Sequence, residues 1–155
     1  MQEHARHEAH GSYKGLAIEM AIDFVIMYFV MYTMIASPDH LLLNNNNFYM
    51  TIMMVAPMTI VMLVGMRSMF PSRRLNLGIG AAAALAFIAA FVAMRTQAAV
   101  GDAQFLRAMI PHHSGAILMC ENASITDPAI KRLCGQIVAG QKAEIAQMQE
   151  LLERY

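Results

Sequence analysis

Met109-Ile110-Pro111-His112-His113, followed by Ala116, Met119 and Cys120, holds the side chains of this sequence best suited to chemistry. At about 100° per residue on a helix, Met109, His112, His113, Met119 and Cys120 fall within roughly 120° of arc, so two imidazoles, two thioethers and a thiol share one side. Imidazole suits copper, zinc, iron and nickel, and sulfur donors shift the preference towards Cu(I). The pattern points to a copper ion, or to another transition metal of similar softness. A plainer account stands beside it. A His-His pair behind a proline also lines helix interfaces, and Met and Cys are ordinary packing residues.

These residues need a rigid helix to hold them, and from Asp102 onward the sequence reads as an amphipathic hairpin. Asp102 is placed to cap a first helix, and Asp127-Pro128 is a suitable cap and first-turn pair for a second. On that second helix Cys134, Ile137, Val138, Gln141, Ile145, Met148 and Leu152 share one face, opposite Lys131, Arg132 and Lys142. Helices over about 102–122 and 128–154 would set Cys134 level with Ala116, one turn from Cys120. A bridge between the two cysteines is not expected at that offset, because a disulfide needs its Cα atoms within about 7 Å. Cys134 becomes instead an additional candidate ligand. A single hairpin leaves apolar surface uncovered, so a second copy is expected to complete a four-helix bundle, making the chain a homo-oligomer.

What precedes the hairpin is apolar. Of 155 residues, 57% are hydrophobic and only 14% charged, which marks a membrane protein with lipid as its surroundings. Zero formal net charge and the absence of a basic patch exclude a nucleic-acid binder. Residues 1–15 form a polar tail with His4, His7 and His10, expected to be disordered. Residues 16–96 hold three transmembrane helices, over about 16–36, 48–66 and 75–94, and residues 101–155 are the hairpin. Glu19 and Asp23 interrupt the first span and argue against a cleaved signal peptide; a structural ion pair with Lys14 or Arg67 is expected for Glu19. Arg67, Arg73 and Arg74 mark the second loop as cytoplasmic, so the N-terminus is expected inside and the hairpin outside, in the periplasm if the membrane is a bacterial inner one.

The residues Asp102, Phe105, Met109-Ile110-Pro111-His112-His113, Ala116-Ile117, Met119, Ile137, Gln141, Glu144-Ile145 and Met148 resemble the domain of unknown function 305 family. The resemblance implies a ferritin-like helical bundle and, since some members are periplasmic copper-binding proteins, makes His112, His113, Met109 and Met119 the ligand candidates. Many members contain two such hairpins where this chain has one, which again favours dimerisation. The three preceding helices look like those of a membrane-anchored subgroup.

Methionine is abundant in the spans, with Met20, Met27, Met31 and Met34 on one stripe of the first and Met50, Met54, Met58, Met62 and Met66 winding around the second. The MxxxM spacing on the middle of three helices resembles the Ctr-type copper transporters. Three readings follow: an all-α, membrane-anchored copper-binding protein that buffers copper or hands it to a periplasmic acceptor; a copper channel lined by methionine; or a membrane scaffold without metal. An enzyme is not expected. The hairpin has no ExxH pair for a di-iron centre, and the chain lacks a nucleophile elbow or a phosphate-binding glycine loop.

Overall fold

The computed structural model describes the backbone of residues 2–155 and the side chains of residues 13–155. Among the described residues all regular structure is helical: α1 (Gln2–Val30), α2 (Asn45–Gly65), α3 (Arg73–Thr96), α4 (Asp102–Asn122) and α5 (Pro128–Leu152). The backbone over 2–12 continues α1, where composition alone led to the expectation of a disordered tail. The side chains of His4, His7 and His10 lie outside the described residues. The chain divides into two compact units, Met1–Val30 with Phe48–Ala98 and Met31–Asn47 with Ala99–Tyr155.

Three stretches, the greater part of each in the first unit, are long and apolar enough to cross a membrane: Tyr13–Met34, Asn45–Gly65 and Arg73–Thr96. The shortest, 21 residues, rises about 31 Å, against a hydrocarbon core of about 30 Å. Their apolar side chains face mostly outward; Leu77 is 75% exposed and Val61 and Val64 are 69% exposed. At one end Leu16, Leu63 and Phe70 are buried together with Tyr13, Met20, Met62 and Ile79 around them. The Tyr13 hydroxyl donates to Asn76 Oδ1 at 2.6 Å and accepts from the Ser72 N–H at 3.2 Å, while Asn76 donates to the Phe70 carbonyl at 2.8 Å. These bonds hold the arginine-bearing segment between α2 and α3 with Arg67, Arg73 and Arg74 exposed.

Two expectations for the spans fail here. Among the described residues neither Glu19 nor Asp23 makes an ion pair, Glu19 being exposed and Asp23 half-buried. The methionine stripe on the first span is also broken: α1 ends at Val30, and Met31 and Met34 lie in a 3₁₀ turn that belongs to the other unit.

In that second unit α4 and α5 pack antiparallel around Leu106, Ile110, Ile117, Ile145 and Met148, flanked by Leu42, Met109, Val138, Leu151 and Leu152. The Asp127 carboxylate caps α5, accepting from the Ala129 and Ile130 N–H groups at 2.6 and 3.1 Å, as expected. Asp102 does not cap α4. Gly101 takes that position, and Asp102, inside the first turn, accepts from the Tyr155 hydroxyl at 3.1 Å, which together with the carboxylate charge raises the Tyr155 phenol above its ordinary pKa.

Residues 31–47, of which 31–36 were expected in the first span, form a cover for α4. Ser114 is fully buried; its Oγ accepts from the Ala36 N–H at 2.7 Å and lies 2.7 Å from His40 Nδ1. Further along, the Asn45 N–H donates to Gln104 Oε1 at 3.0 Å, and the Asn45 side chain donates to the Ala99 carbonyl at 2.8 Å. Tyr32 closes the segment on itself, its hydroxyl donating to the Leu42 carbonyl at 2.8 Å.

Candidate metal centre

The phase of α4 is set by Ile110 and Ile117, 0% and 2% exposed, which turn one side of the helix to α5. A second side, with Gln104, Ser114 and Gly115, lies under residues 31–47; the Met34 carbonyl stands 3.5 Å from where a Cβ on Gly115 would be. The third side is open, and it carries Phe105, His112 and Met119, exposed, with Met109 and Ala116 half-buried beside them. His113 lies between the open side and α5. Pro111 interrupts the helix one residue earlier: it has no N–H to give the Arg107 carbonyl, so the backbone just before the histidine pair lacks one rung of its ladder.

Across from His113, α5 presents Glu144, whose Oε2 is 3.0 Å from His113 Nδ1. The His113 side chain is 15% exposed and that of Glu144 55%. The carboxylate stands off the direction of the ring N–H, so the contact is mainly a matter of charge and not a well-aimed hydrogen bond. A carboxylate behind an imidazole, with the other ring nitrogen left for the ion, is the arrangement in which metal-binding histidines are commonly held. Glu144 was legible in the sequence only as part of the quoted family pattern; its role depends on the helix register, which periodicity does not give. The His112 and His113 ring centroids are 6.1 Å apart with their planes at 59°.

The sulfur candidates divide. Met109 is one helical turn before His113 and packs in part against the core, and its place along α4 makes it the thioether candidate nearest the two histidines. Met119 is ten residues further along α4 than Met109, about 15 Å of rise, so the two thioethers do not meet on one ion within a chain. Cys120 and Cys134 are joined in a disulfide with Cα atoms 5.3 Å apart, which corrects the expectation that the pair is too offset to bridge and removes both as thiolate ligands in this state. The reason is the connection. Ala123 and Asp127 have extended backbone, which carries the chain past the end of α4 before α5 begins. The register therefore slips by one turn relative to a symmetric hairpin, and Cys134 arrives opposite Cys120 instead of Ala116.

Among the described residues no three His, Cys, Asp or Glu side chains are gathered to hold a metal. One chain supplies His112, His113 and the Met109 thioether on one side of α4, with Glu144 behind. That donor set fits a soft or borderline ion, and it leaves coordination positions open.

Helices of membrane-crossing length followed by a helical hairpin define the class: an all-α protein with an apolar three-helix region and a C-terminal two-helix unit. Residues 80–152 match the family described as Domain of unknown function (DUF305). An uncharacterized protein of Acanthamoeba polyphaga mimivirus is 36% identical over 114 residues, which cover 72% of each chain. The chain belongs to the DUF305 family. The match begins at residue 80, inside α3, so the likeness reaches further back than the hairpin boundary at residue 101 that the motif implied. No solved structure matches the chain.

Proposed function

We propose that this chain is a membrane-anchored, non-catalytic copper-binding protein, which uses His112, His113 and Met109 to buffer copper or pass it to an acceptor. The observation that carries the reading is the Glu144 carboxylate 3.0 Å from His113 Nδ1, a carboxylate standing behind an imidazole as it commonly does behind metal-binding histidines. A copper ion bound there would be cargo, held by imidazole nitrogen and thioether sulfur, ligands suited to Cu(I).

The missing donors come from a second copy. Phe105 and Met119 on α4, 51% and 54% exposed, and Leu133 on α5, 53% exposed, leave an apolar surface beside the histidines. On α5, Leu133, Ile137 and Glu144 fall within about 40° of one another. Pairing two such surfaces makes a four-helix bundle and brings a second Met119 and His112 to each site. The anchor lies in the cytoplasmic membrane, with Arg67, Arg73 and Arg74 inside and the hairpin outside. Support comes from the second unit: residues 31–47, between the first two spans, pack on the hairpin that follows the third, and three successive crossings put those segments on one side. The mimivirus relative is not bacterial, so the cytoplasmic membrane is the reading for a bacterial host alone.

The test is titration of the full-length protein in detergent with Cu(I) and Cu(II), alongside His112→Ala, His113→Ala and the double variant. Saturable binding lost in the double variant supports the reading. Binding unchanged in that variant overturns it.

A further inference from the structure

We infer that the Cys120–Cys134 disulfide is a thiol–disulfide exchange site for a dithiol, and not only a staple across the hairpin. The bond lies outside the hydrophobic core, which along α4 and α5 reaches Ile117 and Val138. A cleft of about 330 Å³ opens on it, lined by Cys120, Cys134, Lys131, Gly135, Ile125 and Val138. Next to Cys134, Gly135 has no atom within 4 Å of where a Cβ would be, so space for an attacking group is continuous with the sulfur pair. Lys131 precedes Cys134 by three residues on α5, the spacing at which helical side chains are neighbours. Its ammonium stabilises a thiolate at Cys134 and so favours that sulfur as the leaving group.

The exchange runs as two displacements. A thiolate of the dithiol attacks Cys120 Sγ; the Cys120–Cys134 bond breaks, its electron pair goes to Cys134 Sγ, and a mixed disulfide joins Cys120 to the dithiol. The second thiol of the dithiol, deprotonated, attacks its own sulfur in that mixed disulfide and expels Cys120 as a thiolate. The dithiol is oxidised to its cyclic disulfide, the protein disulfide is reduced to two thiols, and the two protons released by the dithiol end on Cys120 and Cys134. The step is independent of metal binding at His112 and His113, so either can fail alone.

The experiment takes the full-length oxidised protein in detergent, without denaturant, adds dithiothreitol, and counts thiols over time by quenching with a polyethylene-glycol maleimide. The expected result is two thiols released together from protein with native helicity, at a rate slowed roughly threefold or more in Lys131→Gln. Resistance to dithiothreitol until the protein is unfolded overturns the inference and leaves a structural staple. Release at an equal rate in Lys131→Gln also overturns it as stated, because the cation then plays no part. Lys131 is exposed, and circular dichroism of the variant verifies that its fold is kept.

Discussion

Replacing Glu144 by alanine isolates the contribution of the one contact that distinguishes a ligand histidine from a packing histidine. His113 is neutral when it holds a metal through Nε2, so Glu144, 3.0 Å from Nδ1, acts by steadying the ring and not as an ion pair. Loss of a carboxylate behind a metal-bound histidine costs about 10–100-fold in affinity. The Glu144 side chain is 55% exposed and the approach is off the N–H axis, so the lower end, about tenfold, is expected. Glu144→Gln keeps an acceptor oxygen without the charge and is expected to lose less, about threefold. The assay is competition for Cu(I) against a chromophoric chelator, with the full-length protein in detergent. In the cycle with His113→Ala, removing Glu144 from the variant already lacking the imidazole should change nothing further. If Glu144→Ala binds within twofold of the parent while His113→Ala abolishes binding, the orienting argument is wrong even though the ligand assignment survives.

Other substitutions test the frame that holds the site. Cys120→Ser with Cys134→Ser opens a loop with a sequence separation of 14, and loop-closure entropy gives a loss of about 3 kcal/mol, read from urea unfolding followed by helicity. Ser114→Ala leaves the Ala36 N–H and His40 without their partner and should cost about 1–3 kcal/mol, with faster amide exchange over residues 36–41 and unchanged exchange in α5. Ile117→Ala, at a position 2% exposed, should cost about 2–5 kcal/mol, and Ile117→Val about 0.5–1.5 kcal/mol, both measured by thermal unfolding.

The helices were legible because each signal is local. Apolar runs of about 20 residues, the Asp127-Pro128 start of α5 and the periodic Ile110, Ile117, Ile145 and Met148 need no knowledge of distant residues. What failed was register and cover. The disulfide depends on how far an extended five-residue connection travels before α5 begins, and no periodicity encodes that distance. The packing of residues 31–47 on Ser114 joins positions 78 apart in sequence through a backbone N–H and a serine, a pairing that leaves no pattern in composition. Glu144 belongs to the same kind. It is one of two exposed carboxylates on α5 until α4 sets His113 across from it.

The division of α4 into three sides explains why the histidine pair lies where it does. The side toward α5 is taken by Leu106, Ile110 and Ile117, and the side toward residues 31–47 by hydrogen bonds to Gln104 and Ser114. Donors on either would have their lone pairs spent on packing or on the chain's own backbone. On the open side imidazoles are able to present nitrogen to something outside the chain, and there Phe105 and Met119 offer apolar surface while His113 keeps Glu144 behind it. A mutation that merely plugged this face would leave the hairpin intact. Ala116→Arg, half-buried between His112 and Met119 along the stripe, should therefore abolish pairing of copies and weaken copper binding together while helicity is unchanged, as measured by sedimentation and titration on one preparation. Loss of pairing with copper affinity intact would show that one chain's His112, His113 and Met109 suffice.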